Sequence, residues 1–160
     1  MSEILNRYRI TSPFGWRDSP FDSQKKEFHT GIDLADGNHE LLCFISGLCR
    51  RSRIGNFGEG NYIQIVSEIA GVNYYTNYFH CEETWVNEGN AIQRYDSIGI
   101  MGNTGYSTGT HLHFEVFTMS PNINDTVRYF MRNGRYKIIG KRMFFDPKRF
   151  LYAYELRENL

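Results

Sequence analysis

Residues 61–80 read NYIQIVSEIAGVNYYTNYFH. In the first half Tyr62, Gln64 and Val66 alternate with Ile63, Ile65 and Ser67. The side chains of a strand point to opposite faces in turn, so this is a two-faced strand. Ala70-Gly71 interrupts it, and a second run rich in Val, Tyr, Thr and Phe follows, all residues that favour strands. Two such runs about a short turn signal a β-hairpin. On the second strand, alternation puts Val72, Tyr74, Thr76, Tyr78 and His80 on one face.

The rest of the 160-residue chain agrees with this start. Its 12 Phe, 11 Tyr and 15 Gly suit strands broken by tight turns. Further strands are expected around Ile98–Met101 and Leu112–Phe117, with a glycine-rich loop at 102–109 between them. Residues 11–31 read as a loop, because Pro, Gly, Ser and Asp crowd them. Towards the end the pattern changes. Val127, Phe130 and Met131 recur at helical spacing before Gly134, 135–145 reads as another hairpin, and Asp146-Pro147 opens a second helix as N-cap and first residue. The expectation is a mainly β (β-rich α+β) fold, an antiparallel sheet with short helices near the C-terminus. The length fits one domain.

Charge and cysteines narrow the class. Eighteen Lys and Arg balance 18 Asp and Glu, which argues against a nucleic-acid binder. Locally, Thr126–Arg149 holds eight basic residues against one acid, Asp146. That is either a solvated basic face or a patch that meets an anionic polymer or an assembly partner. Cys43, Cys49 and Cys81 cannot all pair within one chain and read as packed thiols. The first 17 residues contain no basic segment followed by an apolar run. Neither a signal peptide nor a membrane-embedded helix is expected: either the protein is made in the cytosol, or it is delivered by another route, on a virion for instance, or a longer chain has been trimmed.

Three stretches carry candidate chemistry. In STGTHLHFEVF (107–117), His111, His113, Glu115 and Phe117 point one way and Leu112, Phe114 and Val116 the other. Two imidazoles at i and i+2 can both bind one metal, or one can bind while the other works beside it, and the spacing does not decide. In FHTGIDLA (28–35), His29 and Asp33 would stand roughly 13 Å apart on a straight strand. A bend at Gly31 would bring them together. In YFHC, His80 follows an aromatic run. Histidines and a carboxylate that leave one coordination position open are the recipe for catalytic zinc.

Taken in this order, FHTGIDLA, YFHC and GNTGYSTGTHLHFEV resemble the signature blocks of the lysostaphin/LytM-type zinc endopeptidases, which cut peptides of bacterial peptidoglycan. ITSPFGWR and FFDPKRFL are similar to the opening and close of such domains. The likeness covers about 10–117 and resumes at 146–151, with Thr118–Phe145 as an extension. The resemblance implies a single domain over 1–160 whose sheet forms a substrate groove. It implies one zinc per chain held by His29, Asp33 and His113, with His111 and His80 as the catalytic pair. His80 would orient the nucleophile or stabilise an oxyanion. Arg17 is a candidate for binding a substrate carboxylate, and His39 has no counterpart and reads as a surface residue. The implied site of action is the cell wall or periplasm. A non-catalytic module that activates another hydrolase, and a structural part of a phage tail or delivery machine, are the alternatives. The basic 118–149 region could then dock an assembly.

Overall fold

The structure is a computed structural model that describes residues 2–35, 38–55, 57–119 and 124–158. A 3-10 turn at Ile4–Arg7 leads into β1 (Arg9–Ser12), β2 (Gly15–Asp18), β3 (Lys26–His29), β4 (Ile32–Ala35), β5 (Glu40–Leu42), β6 (Gly47–Arg53), β7 (Asn61–Ile69), β8 (Val72–Thr84), β9 (Ala91–Ile92), β10 (Ser97–Met101) and β11 (Leu112–Met119). Helix α1 (Asp125–Asn133), strands β12 (Tyr136–Ile139) and β13 (Arg142–Phe145) and helix α2 (Pro147–Glu158) complete the chain. Among the described residues, eleven strands form one sheet whose main path runs β1-β4-β11-β8-β7-β6-β9, and β2 pairs with β3 apart from it. Every named pairing is antiparallel. The fold is mainly β with two short helices, as expected.

The 61–80 hairpin is the spine of this sheet. Ile69 pairs with Val72 across the two-residue turn Ala70-Gly71, and both turn residues have positive φ, +48° and +79°. Such a turn matches the right-handed twist of the strands it joins. Ile63, Ile65, Tyr74, Thr76 and Tyr78 are buried on the inner face, while Tyr62, Gln64 and Tyr75 are only partly covered on the outer one. The inner face packs on the C-terminal elements: Tyr74 meets Phe130, Phe145 and Phe150, and Phe130 stacks on Phe150 at 4.0 Å.

Both helices form where they were expected, α2 with Asp146 as its N-cap as read and α1 with Asn124 as a cap the sequence reading had not named. Asn124 accepts from Val127 N through its side chain at 3.0 Å, and Asp146 accepts from Lys148 N at 3.1 Å. Residues 120–123, inside the segment read as an extension, lie outside the described residues. Of the rest of that segment, α1 is helical and the β12–β13 hairpin joins the sheet: β13 pairs with the far half of β11, register Val116↔Phe145 to Met119↔Arg142. The three cysteines are buried and free. Burial pushes the thiols of Cys43 and Cys81 up to about 12.

Two readings need correction. Residues 11–31 are not one loop, for β2 and β3 pair from Gly15↔His29 to Asp18↔Lys26. Their strands are four residues long, too short for an alternation to stand out among turn formers, and Phe14, Trp16 and Phe28 meet edge-on to hold them. His80 also does not share the face of Tyr78. Its φ is +66°, which breaks the alternation and turns its ring towards His111 and His113.

Candidate metal centre

The site is built at the crossing of β3, β4, β8 and β11. Strands β3 and β4 are joined by Thr30-Gly31, and this bend brings the His29 and Asp33 side chains together. Gly31 is needed for close approach: a Cβ there would collide with the Phe114 carbonyl and stand 2.9 Å from His113 Nε2. On β11, His113 is the register partner of Asp33 on one side and of Phe79 on the other.

The result is a tight triangle. His29 Nε2 lies 3.1 Å from Asp33 Oδ1 and 2.9 Å from His113 Nδ1, and His113 Nδ1 lies 3.0 Å from the same Oδ1. The outer atom of each side chain is already engaged. His29 Nδ1 donates to Pro13 O at 2.8 Å, and His113 Nε2 donates to Glu115 Oε1 at 3.2 Å. Asp33 Oδ2 accepts from Arg17 Nη1 at 2.8 Å. With those tautomers, two imidazole lone pairs and one carboxylate oxygen face a common point. Without a cation between them they repel. Tetrahedral donors about 2.0–2.1 Å from zinc stand about 3.3 Å apart, close to the spacing found. The donor set and its geometry therefore fit zinc with one position left open.

The electrostatics point the same way. Burial opposes the charge on Asp33, but hydrogen bonds from His113 and His29 outweigh it and hold the carboxyl far below its usual range. Burial pulls His113 down, yet its bonds to Asp33 and Glu115 raise it to about 9. A cluster that holds a proton this firmly between its donors also attracts a divalent cation, and metal uptake would displace that proton.

The remaining two histidines stand beside the triangle. His111 Nδ1 lies 2.8 Å from Gly109 O, to which it donates, and its Nε2 lies 3.6 Å from Asp33 Oδ1. His80 Nδ1 donates to Thr104 O at 2.8 Å, and its ring centre lies 4.9 Å from that of His111. Burial lowers His80 to about 4 despite the Thr104 bond, so it is neutral at pH 7 with a bare Nε2. All five residues expected at the site meet here, while His39 is exposed in a loop. A cleft of about 480 Å³ opens alongside, lined by Arg9, Ser12, Arg17, Asp33, Thr110 and His111 among others.

The structure shows more around the site than the sequence indicated: Arg17, read as a candidate for a substrate carboxylate, has carboxylates of this chain as partners, and Glu115 backs His113. Arg17 is engaged inside the site: besides Asp33 it binds Ser12 Oγ at 2.8 Å and Glu27 Oε1 at 2.9 Å. Glu115 accepts from His113, Thr30 and Asn77. A carboxylate on the second nitrogen of a liganding histidine fixes its orientation and raises its basicity. Its place at i+2 from His113 was visible in the sequence, whereas Thr30 and Asn77 come from distant positions and left no signal.

Residues 27–125 match the family model Peptidase family M23, and the chain belongs to that family. It is 36% identical over 122 residues to an uncharacterized metalloprotease of Buchnera aphidicola, covering 76% of this chain and 31% of that protein. It is 38% identical over 122 residues to the peptidoglycan DD-endopeptidase ShyA of Vibrio cholerae, covering 76% and 27%. The chain thus spans less than a third of these relatives. Among solved structures, the catalytic domain of lysostaphin from Staphylococcus simulans superposes with a TM-score of 0.67 at 25% identity, covering 95% of this chain and 98% of that one. That extent includes the C-terminal elements lying beyond the family match.

Proposed function

We propose that this chain is a zinc-dependent endopeptidase that hydrolyses peptide cross-links or stem peptides of bacterial peptidoglycan. The observation that carries the reading is the convergence of His29, Asp33 and His113 on one point, with His111 and His80 beside it. ShyA, an endopeptidase of peptidoglycan by name, supports the substrate class. His29, Asp33 and His113 would hold zinc, which when bound would supply a polarised water and a Lewis acid for the scissile carbonyl.

The protein's own groups then divide the proton work. His111 presents a bare Nε2 towards the cluster because its Nδ1–H is tied to Gly109. It takes a proton from the attacking water and returns it to the amine nitrogen as the C–N bond breaks. His80, neutral and with Nε2 as an acceptor, orients the water. That tautomer gives it no proton to donate to an oxyanion, so orientation is the better of its two expected roles. Arg17 holds Asp33 through Oδ2, which leaves Oδ1 as the oxygen that would bind zinc.

The place of action is the cell wall or periplasm. Among the described residues no helix is long and apolar enough to cross a membrane. Carriage on a virion is part of the proposal, supported by similarity to the prophage-encoded M23 protein EnpA of Enterococcus faecalis, 26% identical with a TM-score of 0.60. Zymography on purified sacculi tests the activity. Clearing is expected with zinc, and is lost on chelation and in His113→Ala. Clearing that survives both would overturn the metal mechanism.

A further inference from the structure

The outer sheet face does not end at the metal centre. His113, Glu115, Phe117 and Met119 alternate onto it from β11, and their neighbours on β8 are Phe79, Asn77 and Tyr75. Side-chain contacts make the row continuous. Phe79 stacks on His113, Gln64 Nε2 donates to Asn77 at 2.8 Å, Asn77 Nδ2 donates to Glu115 at 2.9 Å, and Tyr75 stacks on Phe117 at 5.2 Å. Four steps along β11, roughly 13 Å from His113, the row reaches a recess of about 170 Å³ lined by Arg50, Arg51, Gln64, Tyr75, Phe117 and Arg142, with Met119 at its edge.

Three arginines line it, and the backbone is shaped to bring them there. The β6–β7 register shifts between Cys49↔Ile65 and Arg51↔Gln64, so Arg50 is the extra residue of a bulge. In a regular strand Arg50 and Arg51 would point to opposite faces; a bulge re-aims one of them. Arg142 enters from β13 and lies over the Phe117 ring at 4.9 Å. No acidic residue lines the recess. Among the described residues none of the three arginines pairs with a carboxylate, whereas Arg53 on the same strand reaches Glu88 at 3.6 Å. Guanidinium groups, one of them seated on an aromatic ring as Arg142 is on Phe117, suit a planar, two-oxygen anion.

We infer that Arg50, Arg51 and Arg142 form a carboxylate-binding subsite of the substrate groove, which anchors an acidic residue of the bound peptide about four residues from the scissile bond. An extended peptide spans about 3.3–3.6 Å per residue, which sets that separation. The inference rests on the proposed peptidase function for its ligand, and it gives Arg142 of the basic C-terminal region a substrate to bind.

The test compares two forms of one cross-linked peptide from purified peptidoglycan, with carboxylates free or converted to amides. Binding is measured by calorimetry on the zinc-loaded chain in a His111→Ala background, so that no turnover is needed. Amidation should weaken binding about tenfold in this background. Adding R50Q, R51Q and R142Q should reduce that penalty to less than about twofold, without changing zinc content or melting temperature. In the chain with His111 intact, the triple substitution should raise KM by a similar factor and leave kcat nearly unchanged. An amidation penalty that is the same with and without the three arginines, or a free-carboxylate peptide that does not bind, would overturn the subsite. If the penalty depends on the arginines but no form hydrolyses the peptide, the subsite stands and the peptidase function fails.

Discussion

At the scale of single residues, the site depends on what lies behind each donor. Glu115 is buried, and its bond to His113 Nε2 leaves Nδ1 to face Asp33. Glu115→Gln should therefore weaken zinc binding by about 10–100-fold, read by competition with a chromophoric chelator. His80 gives a pH signature. Its folded value is lowered to about 4 from 6.5, chiefly by burial. Between these values the unfolded chain binds a proton that the folded chain refuses. The stability it contributes is thus present above pH 6.5 and is lost as pH falls towards 4. A bound cation next to it would push in the same direction. Its imidazole resonances should show a neutral ring down to about pH 4, and a midpoint near 6.5 would contradict the burial account. The convergence of His29, Asp33, His80, His111 and His113 was legible from the resemblance of the motifs and their order. The role of Arg17 was not, since the partners that engage it, Ser12, Glu27 and Asp33, meet only after β1, β3 and β4 have assembled.

At the scale of elements, alternation was a good guide where strands are long and two-faced. The inner and outer residues of β7 follow the sequence pattern, and so do those of β8 up to Phe79. It failed at His80, where a left-handed residue in mid-strand reverses the facing of the side chain. Such a conformation costs energy for a residue with a Cβ and tends to persist at functional sites. It also failed over 11–31, where four-residue strands are hidden among turn formers. The Ala70-Gly71 turn allows a direct test. Ala70 is exposed with a φ of +48°, a region that asparagine tolerates better than alanine. Ala70→Asn should stabilise the chain by ~0.5–1 kcal/mol in urea unfolding, with metal content unchanged. A loss of stability would show that the turn is not the strained element described.

At the scale of the molecule, one sheet performs two tasks. Its inner face packs on α1, α2 and the aromatic residues between them, and its outer face carries the metal centre. The C-terminal segment contributes to both, because α1 and α2 supply Phe130 and Phe150 to the core and β13 extends the outer face beside β11. The sequence marked 118–145 as a basic extension and 135–145 as a hairpin, which β12 and β13 form, but not the joining of that hairpin to the main sheet. That joining is the pairing of β13 with the distant β11, and no local pattern encodes it. The central claim is a division of labour between His111 and His113, which the H-x-H spacing alone left open. Zinc content by inductively coupled plasma mass spectrometry, measured with hydrolysis of purified peptidoglycan, tests it most directly. The parent chain should hold about one zinc and cleave. His113→Ala should lose both, and His111→Ala should keep its zinc while hydrolysis falls by roughly 10²–10⁴-fold. Equal loss of zinc from the two variants, or undiminished cleavage by His111→Ala, would contradict the assignment.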